Sequence, residues 1–103
     1  MPSDGPFRFA RGWSGTVRLM SDYGAGWPLW AENGLTAASD WELSPALMER
    51  LQAWDDLFDG HFHWDRGWRD GAARDAYHRD APRLLRDLER ELPHASVELH
   101  LWC

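Results

Sequence analysis

Residues 17–30 read VRLMSDYGAGWPLW, and this stretch decides the fold. Val17, Leu19 and Ser21 fall on one face of an extended chain; Arg18, Met20 and Asp22 fall on the other. The alternation marks a strand over Thr16–Tyr23. Gly24 and Gly26 break it, and Trp27–Trp30 resumes as a short second strand antiparallel to the first. Pro28 has no N–H to give to a ladder, which confines that strand to an edge or a bulge. Glu32-Asn33-Gly34 is a turn signal.

Downstream the period changes from two to 3.6. Ser44 suits a helix N-cap, and Pro45 suits the first helical position, where a missing N–H is harmless. Leu43 and Met48 occupy the positions of a hydrophobic staple. Leu47, Leu51, Trp54 and Phe58 then define one apolar face, with the helix ending near Asp59 and Gly60 as its stop. His61–Gly67 is a connector. A second helix is expected over Asp70–Leu92, with Ala73, Tyr77, Ala81, Leu84, Leu88 and Leu92 on its apolar face. Pro82 either kinks this helix or splits it with Asp80 as a new cap; the unbroken phase of the apolar face favours one kinked helix.

Val97–Trp102, VELHLW, alternates again and reads as a final strand beside Val17–Leu19. Two helices in hairpin fashion bring the chain back, so the expected direction of this strand is antiparallel to the first. The resulting fold class is α+β: a small two-layer domain ordered strand, short strand, helix, helix, strand. An antiparallel sheet is covered on one face by a helix hairpin. Residues 1–15 are expected as an N-terminal arm or short edge strand, and 16–103 as a single α+β domain.

The combination RLMSDYG (Arg18–Gly24), WPLW (Trp27–Trp30) and LSPALMERLQAW (Leu43–Trp54), followed by an Arg- and Leu-rich helix and a short terminal strand, resembles a group of small actinobacterial proteins with no assigned function. The resemblance covers most of Val17–Leu101. It implies one cytoplasmic domain from a GC-rich bacterium and supplies no activity or functional residue. Pro82 and residues 1–15 depart from the pattern.

Composition bounds the function. A chain of 103 residues that is 44% hydrophobic fits one domain with a real core. No apolar run approaches the length of a membrane span. The N-terminal MPSDGPFRFARGW lacks the basic-then-apolar order of a secretory signal, so the expected location is cytoplasmic. Cys103 is the single cysteine and excludes an intramolecular disulfide framework. All eleven cations are Arg. Residues 40–65 hold seven acids against Arg50, a net −6, which equals the net charge of the whole chain. That distribution argues against nucleic acid as a partner, because phosphate binding needs a basic stripe.

Three constellations are candidates for function. The first is acidic: Glu49, Asp56 and Asp59 share a helix face, with Asp55 beside them. The helix dipole disfavours acids at a C-terminal end, so they are either paired with Arg66, Arg69 or Arg74 across the helix hairpin or kept to dock a basic partner. The second is His61, His63 and Asp65, ligand types for zinc or iron, without HExxH or paired-cysteine spacing. The third is Tyr23, Trp27, Trp30, Trp64 and Trp68, aromatics that flank loops and would line a ligand groove; the alternative is that Trp27 and Trp30 cap the core. No serine sits in a nucleophile elbow, and Cys103 has no evident activating partner beyond His100. Phosphate-loop and dinucleotide fingerprints are absent from the sequence.

The leading expectation is a small acidic, non-enzymatic protein-interaction module, of immunity or regulatory type, that binds another protein of basic character and requires no cofactor. A homodimer stays open. The alternative is a small-ligand or metal-binding protein built on the Trp-rich loops with His61 and His63.

Overall fold

The computed structural model describes residues 7–101. Cys103, Trp102 and the first six residues of the expected arm lie outside them. Among the described residues there are six short strands and two long helices: β1 (Thr16–Leu19), β2 (Leu29–Ala31), β3 (Gly34–Leu35), α1 (Pro45–His61), β4 (Phe62–His63), β5 (Gly67–Trp68), α2 (Gly71–Glu91) and β6 (Ser96–Leu99). A single 3-10 turn at Ala38–Asp40 precedes α1. The main sheet has the order β3-β2-β1-β6, and the helices pack against it. This is the expected α+β architecture.

β1 lies inside the sheet because its sequence suits it. Val17 and Leu19 are wholly buried, and Ser21 continues on the same side just beyond the strand. β2 pairs antiparallel with β1, Arg18 opposite Trp30 and Leu19 opposite Leu29. β3 closes a hairpin onto β2 through the Glu32-Asn33 turn.

One expectation is overturned. β6 lies beside β1, but parallel to it, Val17 opposite Val97 and Leu19 opposite Leu99. The reason lies between β3 and α1. Phe9, upstream of β1, forms a parallel bridge with Trp41, so the chain has already returned to the starting end of β1 before α1 begins. The helix hairpin then leaves that end and comes back to it. Ser96 N–H donates to the Gly15 carbonyl at 2.9 Å, and β6 sets out from where β1 did.

α1 starts as its sequence dictates. The Ser44 hydroxyl accepts from Leu47 N–H at 3.3 Å, and Pro45 takes the first helical position. The helix runs through Gly60 to His61, two residues past the expected end near Asp59, and the Phe62 N–H caps it on the Phe58 carbonyl. A glycine ends a helix only where the chain needs a left-handed turn; Gly60 has no positive φ. α2 is continuous across Pro82, which is exposed, with Asp70 accepting from Ala72 and Ala73 N–H at its start. The fresh cap at Asp80 is therefore not used.

The two helices run antiparallel. Ser44 meets Glu91, Arg50 meets Asp87, and Trp54 stacks on Tyr77 at 4.3 Å between ring centroids. The Trp54 indole N–H donates to the Tyr77 carbonyl at 2.8 Å, so this large ring is buried with its polar atom satisfied. Leu47, Leu51, Trp54 and Phe58 from α1 join Leu84 and Leu88 from α2 and Val17, Leu19 and Leu29 from the sheet in one core, with Val97 and Leu99 packed on its edge.

Candidate partner-binding site

The C-terminal end of α1 gathers most of the residues singled out in the sequence. Here the β1–β2 loop, the last turns of α1 and a second small sheet meet. Gly24 and Gly26 both hold positive φ, 71° and 72°, which glycine alone adopts without strain. Their turn presents Tyr23 outward, 47% exposed, and brings the Gly26 carbonyl to Gln52 of α1, whose Nε2 donates to it at 3.2 Å. The same Gln52 amide donates to Asp56 at 3.2 Å.

Under the loop lies a ladder of rings. Tyr23 tilts against Phe58 at 5.4 Å and Phe62 at 6.2 Å; Phe58 and Phe62 stack at 4.8 Å. Trp68 meets Phe62 edge-on at 5.3 Å and leans on Tyr77 at 4.9 Å. Phe58 is buried, and Phe62 is half-buried at the root of the β4–β5 hairpin. Tyr23, Gly24, Gly26, Phe58, Asp59 and Phe62 line a cleft of about 330 Å³.

The acids divide into two kinds. Asp55 is 0% exposed, on the buried side of α1, one turn after Leu51. Burial pushes its carboxyl up to about 6, the nearby Ser21 hydroxyl opposes the rise, and Asp59 and Asp56 add to it. The expectation that Asp55 faces a partner is thereby corrected: it faces the sheet. Glu49, Asp56 and Asp59 are exposed. Burial first, then the charge of Asp56, holds the Asp59 carboxyl above its ordinary value.

Among the described residues, no ion pair includes Glu49, Asp56 or Asp59. The arginines expected to neutralise them do not: Arg74 pairs with Asp75, and neither Arg66 nor Arg69 appears in an ion pair among those residues. Among the described residues, one arginine crosses between the helices, toward the other end, where Arg50 reaches Asp87 at 2.7 Å. That bond, outweighing burial, which acts the other way, holds the Asp87 carboxyl below its usual range.

The remaining candidates are dispersed. Trp27 is buried in the core, and Trp30 is half-buried with its indole N–H on the Met20 carbonyl at 2.9 Å, so the expected five-aromatic groove does not form. Trp64, 74% exposed, crowns the β4–β5 hairpin and stacks on His63 at 5.6 Å. His61 ends α1 with Nδ1 4.0 Å from Asp70, whereas His63 Nδ1 accepts from the Asp65 N–H at 3.1 Å. Helix and hairpin send the two imidazoles to different neighbours, and no group of three or more His, Cys, Asp or Glu among the described residues is gathered to hold a metal ion. No described helix is long and apolar enough to cross a membrane.

Sequence reasoning missed the hairpin, because its strands are two residues each and lie inside a polar connector. The available signal was Asp65-Arg66-Gly67, a turn with Gly at its end; Gly67 has a φ of 73°.

A fold of this kind, with a solvent-facing acidic and aromatic end, suits a protein that recognises another protein. The model of the Serratia CdiI immunity protein-like family matches residues 15–100, and the chain belongs to that family. No curated protein matches it. Membership in an immunity protein-like family implies that the chain binds another protein.

Proposed function

We propose that the protein is an immunity-type module that binds a basic protein through the C-terminal end of α1. The docking face comprises Asp56, Asp59 and Tyr23, with Glu49 two helical turns before Asp56. One observation carries this reading: the exposed acids of α1 have no ion-pair partner among the described residues, although the segment that follows is rich in arginine. Asp56 and Asp59 lie in the last two turns of the helix, where the dipole opposes negative charge by typically ~0.3–1 kcal/mol per residue. Charges held at such a cost without an internal counter-ion are suited to meeting an external one, and complementary charge speeds encounter and selects the partner. The exposed rings of Tyr23 and Trp64 add the aromatic anchors that interfaces favour. Cytoplasmic residence and an actinobacterial source belong to the same reading, supported by the all-arginine cation set and the resemblance of residues 17–101.

The test is the association rate with the protein that copurifies with this chain from source cells. We expect that rate to fall steeply between low and physiological salt, because exposed charges are screened over roughly 8–10 Å. Asp56→Asn with Asp59→Asn should slow it further. Association that ignores both salt and the double substitution would refute the docking face.

A further inference from the structure

We propose that the cleft between Tyr23, Phe58, Asp59 and Phe62 seats one arginine side chain of the protein partner. This rests on the docking face just described and adds which group the partner inserts.

The chemistry of the walls selects the occupant. The buried Phe58 ring lines the cleft with Phe62, stacked on it, and Tyr23, whose ring centroid is 6.2 Å from that of Phe62 with the planes tilted by 41°. A guanidinium is flat, weakly hydrated and able to stack on such faces while presenting a fork of N–H donors. Asp59 stands in the lining with its carboxylate, the acceptor that matches that fork. Among the described residues, its carboxylate has no ion pair and no side-chain hydrogen bond. Its proton affinity is already raised by burial and by Asp56, and the opposite charge of a cation seated beside it would offset that rise. A lysine ammonium is compact and strongly hydrated and gains less from ring faces. A neutral apolar side chain would bury Asp59 further with nothing to offset its charge.

Gly24 and Gly26 complete the lining. A Cβ at either would meet no atom within 4 Å, so packing does not require glycine there. The backbone does, and its turn is what holds Tyr23 against Phe58 and Phe62.

The test uses the full chain, labelled with ¹⁵N, and N-acetyl-arginine methylamide as the probe. The lysine and norleucine analogues serve as comparisons. Amide shifts at residues 23–26 and 58–62 should saturate with the arginine compound, respond more weakly to lysine and stay still with norleucine. Asp59→Asn and Tyr23→Ala should each weaken the arginine response roughly tenfold, as expected for loss of a charged or stacked contact. Both positions are exposed, and an otherwise parental spectrum shows that each variant is folded. Shifts that never saturate, that spread equally to Glu49 and Glu98, or that answer lysine or norleucine as strongly would overturn the proposal. A failed arginine probe beside salt-dependent partner association removes the anchor alone. Association indifferent to salt, Asp56 and Asp59 removes the docking face itself.

Discussion

The two ends of α1 each carry an aromatic cluster, and the clusters are finished differently. At the start of the helix, Phe9 stacks on Trp41 at 4.2 Å and Trp13 meets both edge-on. The Trp41 indole N–H donates to the Thr36 hydroxyl at 2.7 Å, which donates in turn to the Leu29 carbonyl at 2.7 Å. Arg8 lies over the Phe9 ring and 3.5 Å from Asp40, and Glu91 accepts from both the backbone N–H and the hydroxyl of Ser44. At the end of the helix, Tyr23, Phe58, Phe62 and Trp68 form a ladder of similar size, but its outermost ring is half exposed and the exposed acids beside it have no ion pair among the described residues. Ring content is therefore a poor guide to function here. The polar surroundings distinguish the ends: among the described residues, one set of charges is answered within the chain, and the other has no ion-pair partner.

The comparison can be broken first at its closed end. Trp41→Ala removes a buried indole and the N–H that the Thr36 hydroxyl accepts; unfolding by denaturant should show a loss of about 3–5 kcal/mol. That is a large share of a small domain's stability. A variant that melts like the parent would mean that the Phe9–Trp41 cluster does not close the core.

The next largest effect is expected at Asp55 and has the opposite sign. Its folded carboxyl titrates at about 6 against an ordinary 3.8, so the native state binds the proton more tightly than the unfolded chain. The Asp55 contribution to stability is therefore greatest below pH 3.8 and declines as pH rises to about 6. Asp55→Asn is spared that decline. It should exceed the parent above pH 6 by up to about 3 kcal/mol, since each tenfold in proton affinity is worth about 1.36 kcal/mol, and match it in acid. Paired melts across pH decide this; an Asn variant no more stable at neutral pH would show that Asp55 is satisfied while charged.

A smaller gain is expected from Asp56→Asn with Asp59→Asn. With no ion pair to lose among the described residues, relief of the dipole should leave stability unchanged or raise it by roughly 0.3–1 kcal/mol per site. A clear loss in a denaturant melt would mean that the acids are answered within the chain after all, and the two ends would no longer differ. The smallest effect is reserved for Trp64→Ser. A ring 74% exposed at a hairpin tip should alter stability by no more than about 0.5 kcal/mol, while slowing or weakening association if the hairpin belongs to the docking face.

By itself the sequence determined the elements whose signals are local. The alternation around Val17 and Leu19, the Ser44-Pro45 start and the 3.6-residue recurrence from Leu47 to Phe58 each describe a segment's own backbone and buried face. Such features are set by neighbours a few residues away, so they survive translation into structure. The imbalance of charge was equally legible, because counting requires no coordinates. Only the tertiary structure decided the rest. Whether β6 ran with or against β1 depended on Phe9 holding Trp41, a contact across 32 positions that no local pattern records. The helix period already put Asp55, four residues after Leu51 and three before Phe58, on the buried face and Asp56 off it, but that this face closes over a carboxylate needed the sheet to pack there. That Tyr23 joined Asp59 in one cleft, while Trp27 went to the core, followed from how two glycines turned a loop over the helix. A site made of distant segments exists only once long-range packing has fixed their relative positions.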